Sequence, residues 1–234
     1  MALASPEDLI KQLTDARART CALIDQLSEE QLIGPRLPTI NPLRWEIGHA
    51  AYFYEFWILR HHYKETPLIP GIDELFDSIH IPHESRWDLK LPTIADTIKY
   101  MQQVKDRVVH HLSSGKQDTV RDYLTQYAIF HEDMHCEAFT YTRQTLEYPE
   151  PKISLASNPT DSSDQAIGDA FIPGGSFLLG AKSNDDFIFD NEKWAHEKTV
   201  APFKISKTAV SNEEFEQFVN AGGYRQREYW CDQG

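Results

Sequence analysis

Leu124, Ala128, His131, His135, Ala138 and Thr142 follow one another at steps of four, three, four, three and four residues. That spacing draws a single stripe along a helix, and the stripe is expected to face a helical core. It lies in a segment predicted to be helical from about Asp118 to Tyr148, which closes at Pro149-Glu150-Pro151. Three earlier segments carry comparable signals. SPEDLIKQLTDARARTCALIDQLSEEQL opens on Ser5 as a cap, Pro6 at the first helical position, and Glu7 and Asp8 in the first turn. Leu9, Leu13, Ala16, Leu23, Ile24 and Leu27 share one face of it, with Thr20 as the polar interruption. A second, aromatic-rich helix is expected from about Pro42 to His62, and a third from about Thr93 to Leu112, stopped by SSGK. Between them Pro67, Pro70, Gly71 and Pro82 mark a long irregular crossover. Four amphipathic helices of about 20–30 residues with one long connection predict a four-helix bundle over residues 1–150.

The chain then changes character. Residues 151–169 are polar and read as a linker, and residues 170–234 as a second unit. FIPGGSFLLG predicts two short strands around a Pro-Gly-Gly turn, and APFKISKTAV another strand. SNEEFEQFVNAGG predicts a short helix with a capping box, in which Ser211 caps, Glu214 reaches back and Gly222 ends the helix. The expected fold class is α+β. So small a second unit cannot close a core alone, so the chain is expected to be a piece of a longer protein.

Bulk properties narrow the function classes. With 41% apolar and 12% aromatic residues a core can form, and a formal charge of −13 argues against nucleic acid as a partner. No signal peptide is expected from MALASPEDLIKQ. The longest nearly apolar run, AAYFYEFWIL, is too short to span a bilayer, so no membrane partner is expected. Cys21, Cys136 and Cys231 lie far apart with no C-x-x-C pair, so a reducing cytoplasm is the expected compartment.

HEDMH at 131–135 matches the zinc-protease pattern H-E-x-x-H. The surroundings argue against a protease. Glu132 would have to activate a metal-bound water, and position 141, where a metzincin carries a third histidine, is Tyr141. Glu147 and Glu150 sit where the helix runs out, and no strand able to dock a peptide precedes the motif. The two histidines nonetheless lie one turn apart on one face, as a chelating pair requires. In the second helix Trp45, His49, Tyr52, Phe53 and Phe56 make a comparable stripe with His49 in its middle. Bundle cores host metals on facing helices, and neutral imidazole suits iron, zinc, copper or nickel. The remaining histidines, His61, His62, His80, His83, His110, His111 and His196, are expected at the surface. Glu137, two residues past His135 and about 200° around the helix, is expected in solvent or behind the ligands.

LRWEIGHAAYFYEFWILR, HEDMHCEAFTYTRQTL, FIPGGSFLLG and FDNEKWAHEKTVAPFKISKTAVSNEEFEQFVNAGGY together resemble the non-haem iron sulfoxide synthases of ergothioneine biosynthesis. The resemblance runs the length of the chain. It implies a DinB-like four-helix bundle followed by an incomplete domain of the formylglycine-generating-enzyme, or sulfatase-modifying-factor, type. It implies iron(II), Fe(2+), held by His49, His131 and His135. The implied reaction is oxygen-dependent attachment of a chalcogen nucleophile to the imidazole C2 of hercynine, so the implied partners are hercynine, a selenosugar or thiol, and dioxygen. HEDMHCEAFTYTRQTLEYPEP and SRWDLKLP look closest to the selenoneine-synthase branch, in which the donor is a selenosugar. Two departures bear on this. Met134 stands where ergothioneine-type enzymes can place a ring-contacting glutamine, and Arg86 stands without a second arginine where the thiol is gripped by a pair. Tyr52 and Phe53 are the aromatics expected to meet the hercynine trimethylammonium. The family's proton-donating tyrosine is expected beyond residue 234, leaving this piece able to bind iron and unable to turn over. The alternative is a DinB-like metal-binding or thiol-transfer module without oxygen chemistry.

Overall fold

The computed structural model describes residues 4–153, 168–183 and 187–232. The fold class is α+β, and the chain divides into two units. One comprises Met1–Leu155 with Asn184–Phe189, the other Ala156–Ser183 with Asp190–Gly234. Most of the expected linker, residues 154–167, lies outside the described residues.

In the first unit α1 spans Pro6–Ile24, and the Ser5 hydroxyl accepts the Asp8 amide at 3.2 Å as the sequence predicts. The helix ends earlier than its apolar pattern suggests. Gln26 turns the chain at φ 65°, and Ser28 starts a separate α2 over Glu29–Ile33. The reason is a complete capping box: the Gln31 amide donates to the Ser28 hydroxyl and the Ser28 amide to the Gln31 side chain. Helix α3 covers Leu43–Tyr54 and runs on as a π-helix over Glu55–His62, a widening the periodicity did not indicate. At the junction the buried Glu55 carboxylate accepts the Leu68 amide and the Tyr100 hydroxyl. The crossover contains a short α4 at Asp73–Phe76 and a 3-10 turn at His83–Trp87. Helix α5, Ile94–Leu112, is capped by Thr93, and α6, Thr119–Thr145, by Asp118.

The predicted stripe of α6 is buried in part, and the buried surface extends one residue beyond it. Ala128, Ala138 and Thr142 of the predicted stripe are buried, as are Thr125, Ile129, Glu132, Cys136, Phe139 and Arg143 one residue further on, whereas Leu124, His131 and His135 are half-buried. Helix α6 packs on both α1 and α3, so its core-facing surface is wider than one stripe and the two histidines lie at its flank. Tyr123 and Phe130 also meet Phe187 at ring separations of 5.2 and 5.0 Å, and the Tyr123 hydroxyl donates to the Ile188 carbonyl.

In the second unit β1, Asp169–Ile172, pairs antiparallel with β4, Phe203–Ser206, and β2, Gly175–Leu179, with β3, His196–Val200. Strand β3 reads HEKTV, polar and without a clear alternation, and sequence reasoning missed it. Helix α7, Asn212–Asn220, carries the predicted Ser211–Glu214 box and is followed by Gly222 at φ 76°.

One close approach in the bundle positions the histidine of α3. A methyl group on Gly48 would lie 2.3 Å from the Phe76 ring, and the whole neighbourhood is buried. Overpacking of this kind costs about 1–3 kcal/mol, so Gly48→Ala is expected to lower stability by that amount in urea unfolding.

Candidate metal centre

His49 comes from α3, and its ring stacks on Trp45 one turn earlier, with centroids 4.8 Å apart and planes 7° from parallel. Its Nδ1 lies 2.8 Å from the Phe76 carbonyl oxygen. A carbonyl can only accept, so Nδ1 carries the proton and Nε2 presents a lone pair. His135, on α6, is held in the same sense: its Nδ1 is 2.8 Å from Glu46 Oε1, and its Nε2 is 3.3 Å from His131 Nε2. The His131 ring lies face to face with Phe53, centroids 3.9 Å apart. The ligand nitrogens of His49, His131 and His135 all lie within 4.8 Å of one another.

This arrangement fits a metal ion. Bonds of about 2.0–2.2 Å place adjacent ligand nitrogens on the order of 3 Å apart, which is the spacing of the His131–His135 pair. Burial above all, then the neighbouring His135, pulls His49 down to about 3 from the ordinary histidine value. Burial, with His135 and His49 beside it, holds His131 well below that value too. Both imidazoles are therefore neutral near neutral pH, the form that ligates. Lone pairs facing each other in a buried space repel unless a proton or a cation lies between them. Three imidazole nitrogens without a thiolate suit iron, zinc, copper or nickel.

The other sequence-predicted residues separate into groups. Glu132 faces away from the cluster: its Oε1 accepts the Thr20 hydroxyl at 2.8 Å and pairs with Arg17 Nε at 3.0 Å, fully buried against α1. It cannot act as a protease base, and Thr20 is in the core to meet it. Glu137 is exposed. Met134 is 52% exposed. The Arg86 guanidinium lies 3.9 Å over the Trp45 ring, so Arg86, Trp45 and His49 form one stack, and its Nη1 donates to Asn41. It is Arg36, at 5.9 Å, that covers Trp87. Tyr52 donates its hydroxyl to Asp73, which is also paired with Arg60, and burial, then Asp73, raises its phenol above the ordinary tyrosine value. A cleft of about 200 Å³ beside His49 is lined by Tyr52, Phe53, Phe56, Trp57 and Asp77.

Of the remaining histidines, His61, His80, His110 and His196 are exposed as expected. His62, His83 and His111 are half-buried instead, because each has found an acceptor: Asp118, the Ile40 carbonyl and Glu65. Glu46 is the site residue that sequence reasoning missed. Its signal was present in E-I-G-H, since it lies three positions before His49, which places both on one side of α3.

A helical bundle with three histidines converging from two of its helices defines the class, and residues 12–139 match the DinB superfamily. The chain belongs to that superfamily, and residues 155–233 match the sulfatase-modifying factor enzyme 1-like domain. Over 231 residues it is 31% identical to a hercynine oxygenase from Mycolicibacterium thermoresistibile, covering 97% of this chain and 51% of that protein. It is 30% identical to a hercynine oxygenase from Mycobacterium tuberculosis, covering 99% of this chain and 55% of that one. A formylglycine-generating enzyme from Thermomonospora curvata is 42% identical over 59 residues, 25% of this chain and 20% of that protein. The chain thus spans about half the length of the hercynine oxygenases it matches. Among the described residues no helix is long and apolar enough to cross a membrane.

The Arg17–Glu132 pair makes a test that separates scaffold from centre. Glu132→Ala leaves a buried guanidinium without its counter-charge, and a loss of about 3–5 kcal/mol in urea unfolding is expected.

Proposed function

We propose that this chain carries the metal centre of an iron(II)- and oxygen-dependent enzyme that joins a chalcogen to C2 of the hercynine imidazole. The observation that carries the reading is the convergence of three imidazole nitrogens, with two of the rings fixed by acceptors at Nδ1. The names of the two hercynine oxygenases supply the substrate class. Iron(II) at His49, His131 and His135 would supply the activation of dioxygen, with positions left open for substrates.

The chain's own residues then bind and orient. The aromatic cleft beside His49, with the Asp77 carboxylate on its wall, has the composition that holds a quaternary ammonium by cation–π contact. Tyr52 and Phe53 fit that task because both are already fixed, one by Asp73 and one by the His131 ring. Hercynine seated there would place its trimethylammonium in the cleft and its imidazole toward the histidines. Met134 offers a thioether, apolar and only a weak acceptor, in place of an amide. Arg86 is a single cation poised on Trp45, suited to a donor with few carboxylates. On these two residues we favour a selenosugar over cysteine or γ-glutamylcysteine as the chalcogen donor.

Two measurements test the reading. Anaerobic reconstitution followed by metal analysis is expected to find one iron per chain, with His131→Ala reducing it to background; undiminished iron in that variant overturns the centre. In competition assays with the purified protein, iron(II) and dioxygen, selenium transfer from the sugar is expected to outpace sulfoxide formation from either thiol. The reverse order would assign the sulfur branch.

A further inference from the structure

We infer that Glu46 is a positioning residue for the metal, fixing the orientation of His135 and supplying the negative charge that favours a cation at its Nε2. The inference rests on the metal reading above. Glu46 is 2% exposed, and among the described residues its one hydrogen bond is accepted at Oε1 from His135 Nδ1 at 2.8 Å. Its Oε2 is buried without a partner among the described residues. The Arg86 guanidinium, the nearby group on which the Glu46 charge acts, is itself stacked on Trp45 and bonded to Asn41, with its Nε buried and unpartnered among the described residues. A carboxylate in this condition burdens the metal-free fold, because a buried charge needs a partner close by. If its purpose were structural, glutamine would serve better: it has the same shape, and its amide oxygen still accepts the Nδ1 proton. The burial gains a purpose once a cation binds the far nitrogen of the same imidazole. A carboxylate behind a ligating histidine fixes its tautomer and raises its basicity, and loss of such a group typically weakens metal binding 10–100-fold. The placement also serves assembly. Glu46 stands one turn before His49, so a single turn of α3 supplies one ligand and the orienting group of another that belongs to α6.

This role and an ordinary structural role have opposite consequences for Glu46→Gln. The 234-residue chain is titrated anaerobically with cobalt(II) and iron(II) against a competing chelator, and its melting is followed separately with metal removed. The expected result is a metal-free variant that melts at or above the parent and binds either metal 10–100-fold more weakly. Affinity within about twofold of the parent overturns the inference, well short of the 10–100-fold expected. Melting that falls in the metal-free variant also overturns it, because Glu46 would then be stabilising the fold itself. His131→Ala, titrated in parallel, separates the two readings. If it loses the metal while Glu46→Gln keeps it, the role of Glu46 alone fails; if it keeps the metal, the centre fails.

Discussion

The site depends on an interaction that lies outside it. Arg17, Thr20 and Glu132 form a buried polar contact between α1 and α6, and Arg143 adds a second by donating to the Leu23 carbonyl. An ion pair of this kind contributes little net stability against an apolar alternative, since desolvation offsets much of the attraction. Its value is directional. A carboxylate that must find one guanidinium fixes the rotation of α6 about its axis, where Leu or Ile would tolerate several. With Glu132 turned into α1, the 3.6-residue period sends His131 and His135 toward α3. The middle of the H-E-x-x-H match is thereby a structural group, and its two ends are free for a metal.

The histidine cluster is held by different forces at each member. His49 has a backbone carbonyl and a parallel indole, His135 a carboxylate, and His131 a phenyl face with no acceptor at Nδ1 among the described residues. Aromatic rings restrict an imidazole in tilt, hydrogen bonds restrict it in rotation, and both keep water away. The dry surroundings explain why His49 and His131 resist protonation. The same rings continue outward into the cleft of Tyr52, Phe53, Phe56 and Trp57, so one stretch of α3 and its π-helical extension builds both the metal's neighbourhood and a cation-binding wall.

Much of this was legible in the residues. Ser5, Thr93, Asp118 and Ser211 announced their helix starts because a cap acts within four residues. The bundle followed from apolar spacing, and the histidine pair from its i, i+4 separation. What was missed involved partners distant in sequence. Thr20 looked like a flaw in an apolar face until Glu132, 112 positions away, came to meet it. Arg86, in the crossover, stacks on Trp45 of α3. His62, His83 and His111 looked like surface residues and found acceptors from other segments.

By itself, then, the sequence determined the helices, their starts, the α+β class and the pair of imidazoles one turn apart, because each rests on contacts within a few residues. Tertiary structure alone decided how wide the buried face of α6 is, that Glu132 serves α1, and that Glu46 stands behind His135. It also decided that His49 meets His131 and His135 across the bundle. Those outcomes depend on how helices far apart in the chain rotate against one another, and that rotation is set by packing and by the pairing of buried charges, which no local pattern of residues encodes.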